Sequence, residues 1–174
     1  GLFYGMGKAK LQAELGVSKE KADELFTIYH ERVPFVKSLM NSVSNRAQQR
    51  GQIRTLLGRL CRFHLWEPSK FGMHKALPFD QARQEHGASI KRAYTYKALN
   101  KLIQGSAADM TKKSMLELYK EGIVAHIQVH DELDISVEDD IKAKRIKEIM
   151  ESAVELEIPN KVDYEFGKNW GDIK

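Results

Sequence analysis

The sequence predicts an α+β fold, with helices packed on antiparallel β-structure. Three observations predict it. Around residues 123–137, Ile123, Ala125, Ile127 and Val129 alternate with polar neighbours, and beyond a polar break Leu133, Ile135 and Val137 do the same. Period-two alternation on both sides of a break predicts a hairpin. Residues 52–65 repeat the pattern, with Ile53, Thr55 and Leu57 alternating and Gly58 as the turn. Most of the remainder carries apolar residues at helical spacing between recognisable start and stop residues.

The elements follow in order. Residues 8–15 predict a short helix stopped by Gly16, a residue suited to a left-handed cap. Ser18 predicts the N-cap of a helix to about Arg32, with Ala22, Leu25, Phe26 and Tyr29 as its apolar stripe. Pro34 predicts the first turn of the next helix, which buries Val36, Leu39, Met40 and Val43 and ends before Gly51. From the 52–65 hairpin Arg54, Arg59 and Arg62 are expected to project toward phosphates. Residues 67–80, with Pro68, Gly72 and Pro78, predict a loop. Residues 81–102 read as one long basic helix. Gln104-Gly105-Ser106 is expected to interrupt it, with Ser106 capping a second helix through Lys120 whose inward face carries Ala107, Met110, Ser114, Leu118 and Tyr119. After the 123–137 hairpin come a helix over about 139–156, a strand at Val162, Tyr164 and Phe166, and Trp170 closing the core. No repeat, low-complexity run or linker demands two independent domains.

At 174 residues and 42% hydrophobic content the chain can bury a sizeable core. No apolar run is long enough to cross a bilayer, and no membrane partner is expected. The single cysteine, Cys61, excludes an internal disulfide framework and fits a reducing compartment; it has no zinc-spaced companions. The net charge of +4 conceals a strong asymmetry. Residues 1–40 carry six Lys/Arg and five Asp/Glu, residues 41–120 fifteen and five, residues 121–174 seven and fourteen, for nets of +1, +10 and −7. Such a distribution suggests a polyanion held by the middle of the chain and a cation held near its end. The plainer reading is that these charges solvate helix faces.

Gln128-Val129-His130-Asp131-Glu132-Leu133 is the chemical centre of the sequence. Two adjacent carboxylates repel unless a cation sits near them. Mg2+ commonly takes one or two protein carboxylates plus substrate phosphates. A solvated acidic turn is the alternative.

The same hexapeptide resembles motif C of the palm in family A DNA polymerases, the bacterial DNA polymerase I type. Leu99-Asn100-Lys101-Leu102-Ile103-Gln104-Gly105-Ser106-Ala107-Ala108-Asp109 resembles the helix signature ahead of that motif. Gly1-Leu2-Phe3-Tyr4-Gly5-Met6 resembles the end of motif B, Thr55-Leu56-Leu57-Gly58-Arg59 the family's threonine-to-arginine hairpin, and Gly167-Lys168-Asn169-Trp170 its C-terminal block. The five blocks occur in family order.

The resemblance implies a single partial polymerase domain, with residues 1–50 derived from the fingers and 51–174 from the palm. It implies template-directed extension of a DNA 3′ end by deoxynucleoside triphosphates, using two Mg2+ ions roughly 3.5–4 Å apart. Asp131 would be the catalytic metal ligand, with Glu132 beside it. His130, Gln104 and Asn100 would touch the primer-template DNA, Arg59 its backbone phosphate, and Tyr4 the insertion site. Side-chain donors suit the minor groove, whose N3 and O2 acceptors are shared by all base pairs. Tyr96 stands where the family often carries an arginine, and residues 66–90 look longer than the bacterial connection, which hints at a phage-like origin. The family's motif A aspartate has no counterpart among the 174 residues. The expectation is therefore a chain that does not polymerise alone and needs the N-terminal remainder of a polymerase, on the same or a separate chain, in a bacterial or phage-infected cytoplasm. Two other classes remain open. A DNA-binding module resting on the +10 segment would be indifferent to Asp131→Ala. A metal phosphohydrolase would need further histidines around His130-Asp131, a pattern that His30, His64, His74, His86 and His126 do not provide.

Overall fold

A computed structural model describes residue 2 and residues 6–70, 72 and 74–173. The architecture is α+β, with helices and small antiparallel strand pairs. The chain divides into two compact units, Gly1–Gly105 and Ser106–Lys174.

In the first unit, α1 (Lys8–Leu15) stops at Gly16, whose φ is 62°. α2 (Lys19–Arg32) starts where Ser18 Oγ accepts from the Lys21 amide at 3.2 Å. α3 (Pro34–Arg50) follows directly and ends at Gly51, φ 68°. Glycine suits this dihedral, and a Cβ would stand 2.7 Å from Arg92 Cζ, so the arginine head would have to shift to admit one. Arg92 earns that space by donating Nε to the Gln48 carbonyl at 3.2 Å and Nη1 to the Phe63 carbonyl at 3.0 Å. A cation at the carbonyl end of a helix also suits its dipole. Strands β1 (Gln52–Arg54) and β2 (Leu60–Arg62) pair antiparallel, with Ile53 opposite Cys61. Val43, Ala47, Ile53, Phe63 and Ala98 form the buried core, with Leu39, Cys61 and Leu102 packed on it.

The middle of the chain departs from the sequence expectation. In place of an uninterrupted loop over 67–80, β3 (Trp66–Pro68) pairs with β4 (Ile90–Arg92), and α4 (Phe79–His86) lies between them. The expected long helix over 81–102 is therefore divided. Gly87 at φ 66° ends α4, β4 uses its backbone donors and acceptors for strand pairing, and Tyr94 at φ 62° leads into a 3-10 turn, Thr95–Lys97. Helical spacing over 90–102 was real only from residue 98 onward; strand pairing overrode propensity before it. The converse error occurs at Gly105. α5 runs from Ala98 to Lys120 without a break, so Ser106 lies inside the helix and is not an N-cap.

In the second unit, α5 ends in a tight turn. Gly122 (φ 75°) and Ile123 donate to the Tyr119 and Leu118 carbonyls, each at 3.0 Å, satisfying groups that a helix terminus leaves orphaned. Leu118, Ile123, Ile146 and Ile149 form the core, joined by Leu133, Ile135, Val137 and Met150. Ser114 is buried as expected, whereas Tyr119 is exposed and does not pack inward. α6 (Asp140–Ser152) is capped by Asp139 Oδ1, which accepts from the Lys142 amide at 2.7 Å; it ends four residues short of expectation. Residues 162–166 pair with no strand among the described residues. Their alternation serves side-chain contacts instead: Val162 N donates to Glu151 Oε1 at 2.9 Å, and Tyr164 OH donates to Asp140 Oδ1 at 3.1 Å. Trp170, expected in the core, is 62% exposed. No helix among the described residues is long and apolar enough to cross a membrane.

Leu118 is 1% exposed at the centre of its cluster. Leu118→Ala is expected to destabilise the second unit by about 2–5 kcal/mol, read by chemical denaturation. Two exposed clusters set a small pH dependence. Lys144, then Tyr164, hold the Asp140 carboxyl below its usual range, and Lys113, then Lys120, do the same for Glu117. Depressed carboxylates contribute stability above their unfolded pKa, and that contribution fades as pH falls through the folded value. The melting-temperature gap between wild type and Asp140→Asn should thus be constant above about pH 5 and close below about pH 4.

Candidate active-site hairpin

β5 (Ile127–Val129) and β6 (Glu132–Asp134) pair antiparallel, Val129 opposite Glu132, Gln128 opposite Leu133 and Ile127 opposite Asp134. The hairpin is shorter than expected but centred where the alternation placed it. His130 and Asp131 form its two-residue loop. Such loops need positive φ at their first position, usually supplied by glycine; here His130 takes it, at φ 52°. A left-handed non-glycine residue costs roughly 1–2 kcal/mol, so the surrounding structure must enforce it. Gln128 Nε2 donates to the His130 carbonyl across the turn. Leu133, Ile135 and Val137 anchor the second strand on the core of Leu118 and Ile146.

Cross-strand pairing puts Glu132 and Asp134 on the same face as Val129 and Ile127. Those two apolar side chains are each 41% exposed. The expected apolar face of the first strand is thus a mixed, open one, and only the Leu133 face is inward. His130, Asp131 and Glu132 are all exposed.

Asp131 and Glu132 also line a cavity of about 860 Å3 bounded by the hairpin, α6 and residues 162–173. Asp134, Asp163 and Glu165 line the same space, with Lys147 and Lys168 as its basic groups. Five carboxylates against two ammonium groups favour a cation there. Sequence reasoning missed Asp163 and Glu165 because they are distant along the chain and sit in a stretch read as a strand. His126 was read as a strand-face residue; its Nε2 lies 3.1 Å from Ser136 Oγ across the hairpin.

Among the described residues no three His, Cys, Asp or Glu side chains converge as a metal-holding group. Asp131 and Glu132 thus fit a contribution of one or two carboxylates to a divalent ion completed by other oxygens, as Mg2+ permits. They do not form an all-protein cage.

The other predicted site residues lie in the first unit. The loop after β1 is closed by paired backbone bonds: Thr55 N donates to the Arg59 carbonyl at 2.9 Å, and Gly58 N to the Thr55 carbonyl at 2.9 Å. Thr55 Oγ1 accepts from Arg59 N at 3.0 Å. The Arg59 side chain donates Nη2 to the Gly105 carbonyl on α5 at 2.9 Å. Asn100 and Gln104 lie one turn apart on α5, and residues four apart share a helix face. Gln104 is exposed and Asn100 half-buried. Asn100 Oδ1 is shielded from solvent and has no hydrogen-bond partner among the described residues, an arrangement that costs about 1–3 kcal/mol. Tyr4 lies outside the described residues. Tyr96 is 66% exposed, with Lys97 Nζ 5.6 Å from its ring centroid.

Comparison with known proteins bears on this arrangement. The family model for DNA polymerase family A matches residues 1–172. The chain is 33% identical over 205 residues to the DNA-directed DNA polymerase of Pseudomonas phage M6, covering 98% of this chain and 28% of that protein. It is 34% identical over 183 residues to DNA polymerase I of Bacillus caldotenax, covering 100% of this chain and 19% of that protein. The chain therefore spans well under a third of the length of these relatives. Among solved structures it is similar to the POL domain of Pol1 from M. smegmatis in complex with DNA primer-template and dNTP, with a TM-score of 0.72 and 28% identity over 99% of this chain and 29% of that one. With a family model spanning nearly every residue and whole-chain relatives on both the phage and bacterial sides, this chain belongs to DNA polymerase family A.

Proposed function

We propose that the chain supplies the carboxylate hairpin and a duplex-contacting helix of a DNA-directed DNA polymerase. The observation that carries this is the strained His130-Asp131 turn, whose adjacent exposed carboxylates Asp131 and Glu132 line an acidic cavity in a family A chain. Strain held in place by packing is a mark of functional sites when it is observed rather than assumed. The M. smegmatis relative, solved with DNA primer-template and dNTP, supports those two as the ligands.

In this reading Asp131 holds a divalent ion, taken to be Mg2+, with Glu132 at its side. Bound there, the ion supplies Lewis-acid activation of the primer 3′ hydroxyl and neutralises charge on the transferred phosphate. The left-handed turn at His130 leaves Asp131 exposed at the hairpin tip. The His130 imidazole and the Gln104 and Asn100 amides act as donors toward minor-groove acceptors, testing pair shape without reading sequence.

One hairpin does not provide the ligands of a two-ion site. The second carboxylate position belongs, in this proposal, to a polypeptide segment outside these 174 residues. Primer extension tests it. The chain alone should show no turnover. Mixed with an upstream polymerase segment bearing a metal-binding aspartate, it should extend a primer, and Asp131→Ala should lower that rate by at least about a hundredfold. Turnover by the isolated chain, or a mixture indifferent to Asp131→Ala, overturns the reading.

Duplex binding by the chain itself should be electrostatic. Its affinity should fall linearly on a log–log salt plot, with a slope of about −0.9 per phosphate contacted. Replacing exposed Arg62 by Ala should reduce that slope by about one, measured by fluorescence anisotropy across a salt series.

A further inference from the structure

We propose that Arg59 and Thr55 are positioning residues that clamp α5 at Gly105, and that Arg59 acts on DNA through Asn100 and Gln104 and not by touching phosphate. The DNA half of this inference rests on the proposed function above; the clamp itself does not.

Four distances define the clamp. Thr55 Oγ1 takes the Arg59 amide at 3.0 Å and so fixes the backbone from which the arginine departs. Arg59 Nη2 reaches the Gly105 carbonyl at 2.9 Å, across 46 residues of sequence. A Cβ on Gly105 would stand 3.0 Å from Thr55 Cγ2 and 3.3 Å from Arg59 Nη2. The helix and the loop thus meet so closely that any side chain at residue 105 would make Thr55 and Arg59 give by a few tenths of an ångström. Thr55 is 5% exposed, so the contact is sealed on the hairpin side.

This geometry explains a glycine that interior helix positions disfavour by up to about 1 kcal/mol. It also explains why α5 continues through Gln104-Gly105-Ser106. The carbonyl of Gly105 receives a charged donor from outside the helix, a stronger bond than a neutral one. Gly105 directly follows Gln104 and lies five residues after Asn100. Fixing its carbonyl fixes the rotation and height of the turn that presents both amides. Gly105 is also the last residue of the first compact unit, so the clamp holds the final turn of α5 within that unit.

A direct phosphate contact and a clamp predict different mutational patterns. In the intact chain bound to a labelled primer-template duplex, Arg59→Ala should weaken binding about tenfold in the wild-type background. It should cost little further when Asn100→Ala and Gln104→Ala are already present, and it should leave the salt slope unchanged. Arg59→Lys keeps the charge but loses the planar fork and should recover only part of the loss. Equal losses in both backgrounds, a slope reduced by about one, or full recovery by Arg59→Lys overturns the proposal. Amide hydrogen exchange gives a readout without DNA. Arg59→Ala and Gly105→Ala should both speed exchange over residues 104–109. Arg54→Ala, whose Nη1 bonds the Gly58 carbonyl at 2.8 Å within the hairpin, should not. Unchanged exchange in Arg59→Ala overturns the clamp. If the wild-type chain fails to bind duplex, the polymerase reading falls and exchange alone decides the clamp.

Discussion

The close contact between Gly105 and the Thr55–Arg59 loop is the constraint on which the first unit's arrangement of candidate DNA-contacting residues depends. A helix of 23 residues would tolerate a glycine at its middle only at a cost. Here the missing side chain lets the hairpin loop approach the helix backbone, and an arginine secures the approach. Leu102, one turn earlier, packs on the core of Val43, Ile53 and Phe63. Apolar burial places the helix and the Arg59 bond sets its last turn in that unit.

The sequence was legible where local signals agree with tertiary contacts. Ser18, Pro34, Gly16 and Gly51 stand at the helix ends that their chemistry predicts. The two hairpins at 52–65 and 123–137 were legible because both combine alternation with a turn. It was misleading where one residue type serves two ends. Gly105 reads as a breaker, yet it lies inside a continuous helix and its lack of a Cβ is used for packing. The pairing of Trp66–Pro68 with Ile90–Arg92 spans more than twenty residues and has no local signature. The stretch at 162–166 alternates as a strand would, but its side chains find Asp140 and neighbouring rings while its backbone finds no partner strand.

The charge asymmetry also looks different once partners are known. Within the +10 segment, Arg54, Arg59 and Arg92 donate to backbone carbonyls, and Lys113 and Lys120 both serve Glu117. These cations retain their charge and still contribute to the long-range field. They are not side chains that a phosphate can recruit without breaking a bond first. Arg46, Arg50 and Arg62 are exposed. A count of basic residues thus overstates the number of contacts, while the sign of the field is kept.

The acidic hairpin presents the opposite balance. Asp131 and Glu132 are exposed, so no burial forces them to find a partner, and little stability depends on their being satisfied within the chain. What is fixed is the backbone beneath them. The inward run of Leu133, Ile135 and Val137 ties one strand to a buried core, and the short loop then leaves His130 little choice but a left-handed φ. A two-residue loop between paired strands cannot move Asp131 far without breaking the Val129–Glu132 pairing. The hairpin therefore holds a carboxylate in a defined place, although among the described residues no three metal-binding side chains converge there. That is the behaviour required of one contributor to a site completed by substrate phosphates and by other protein oxygens.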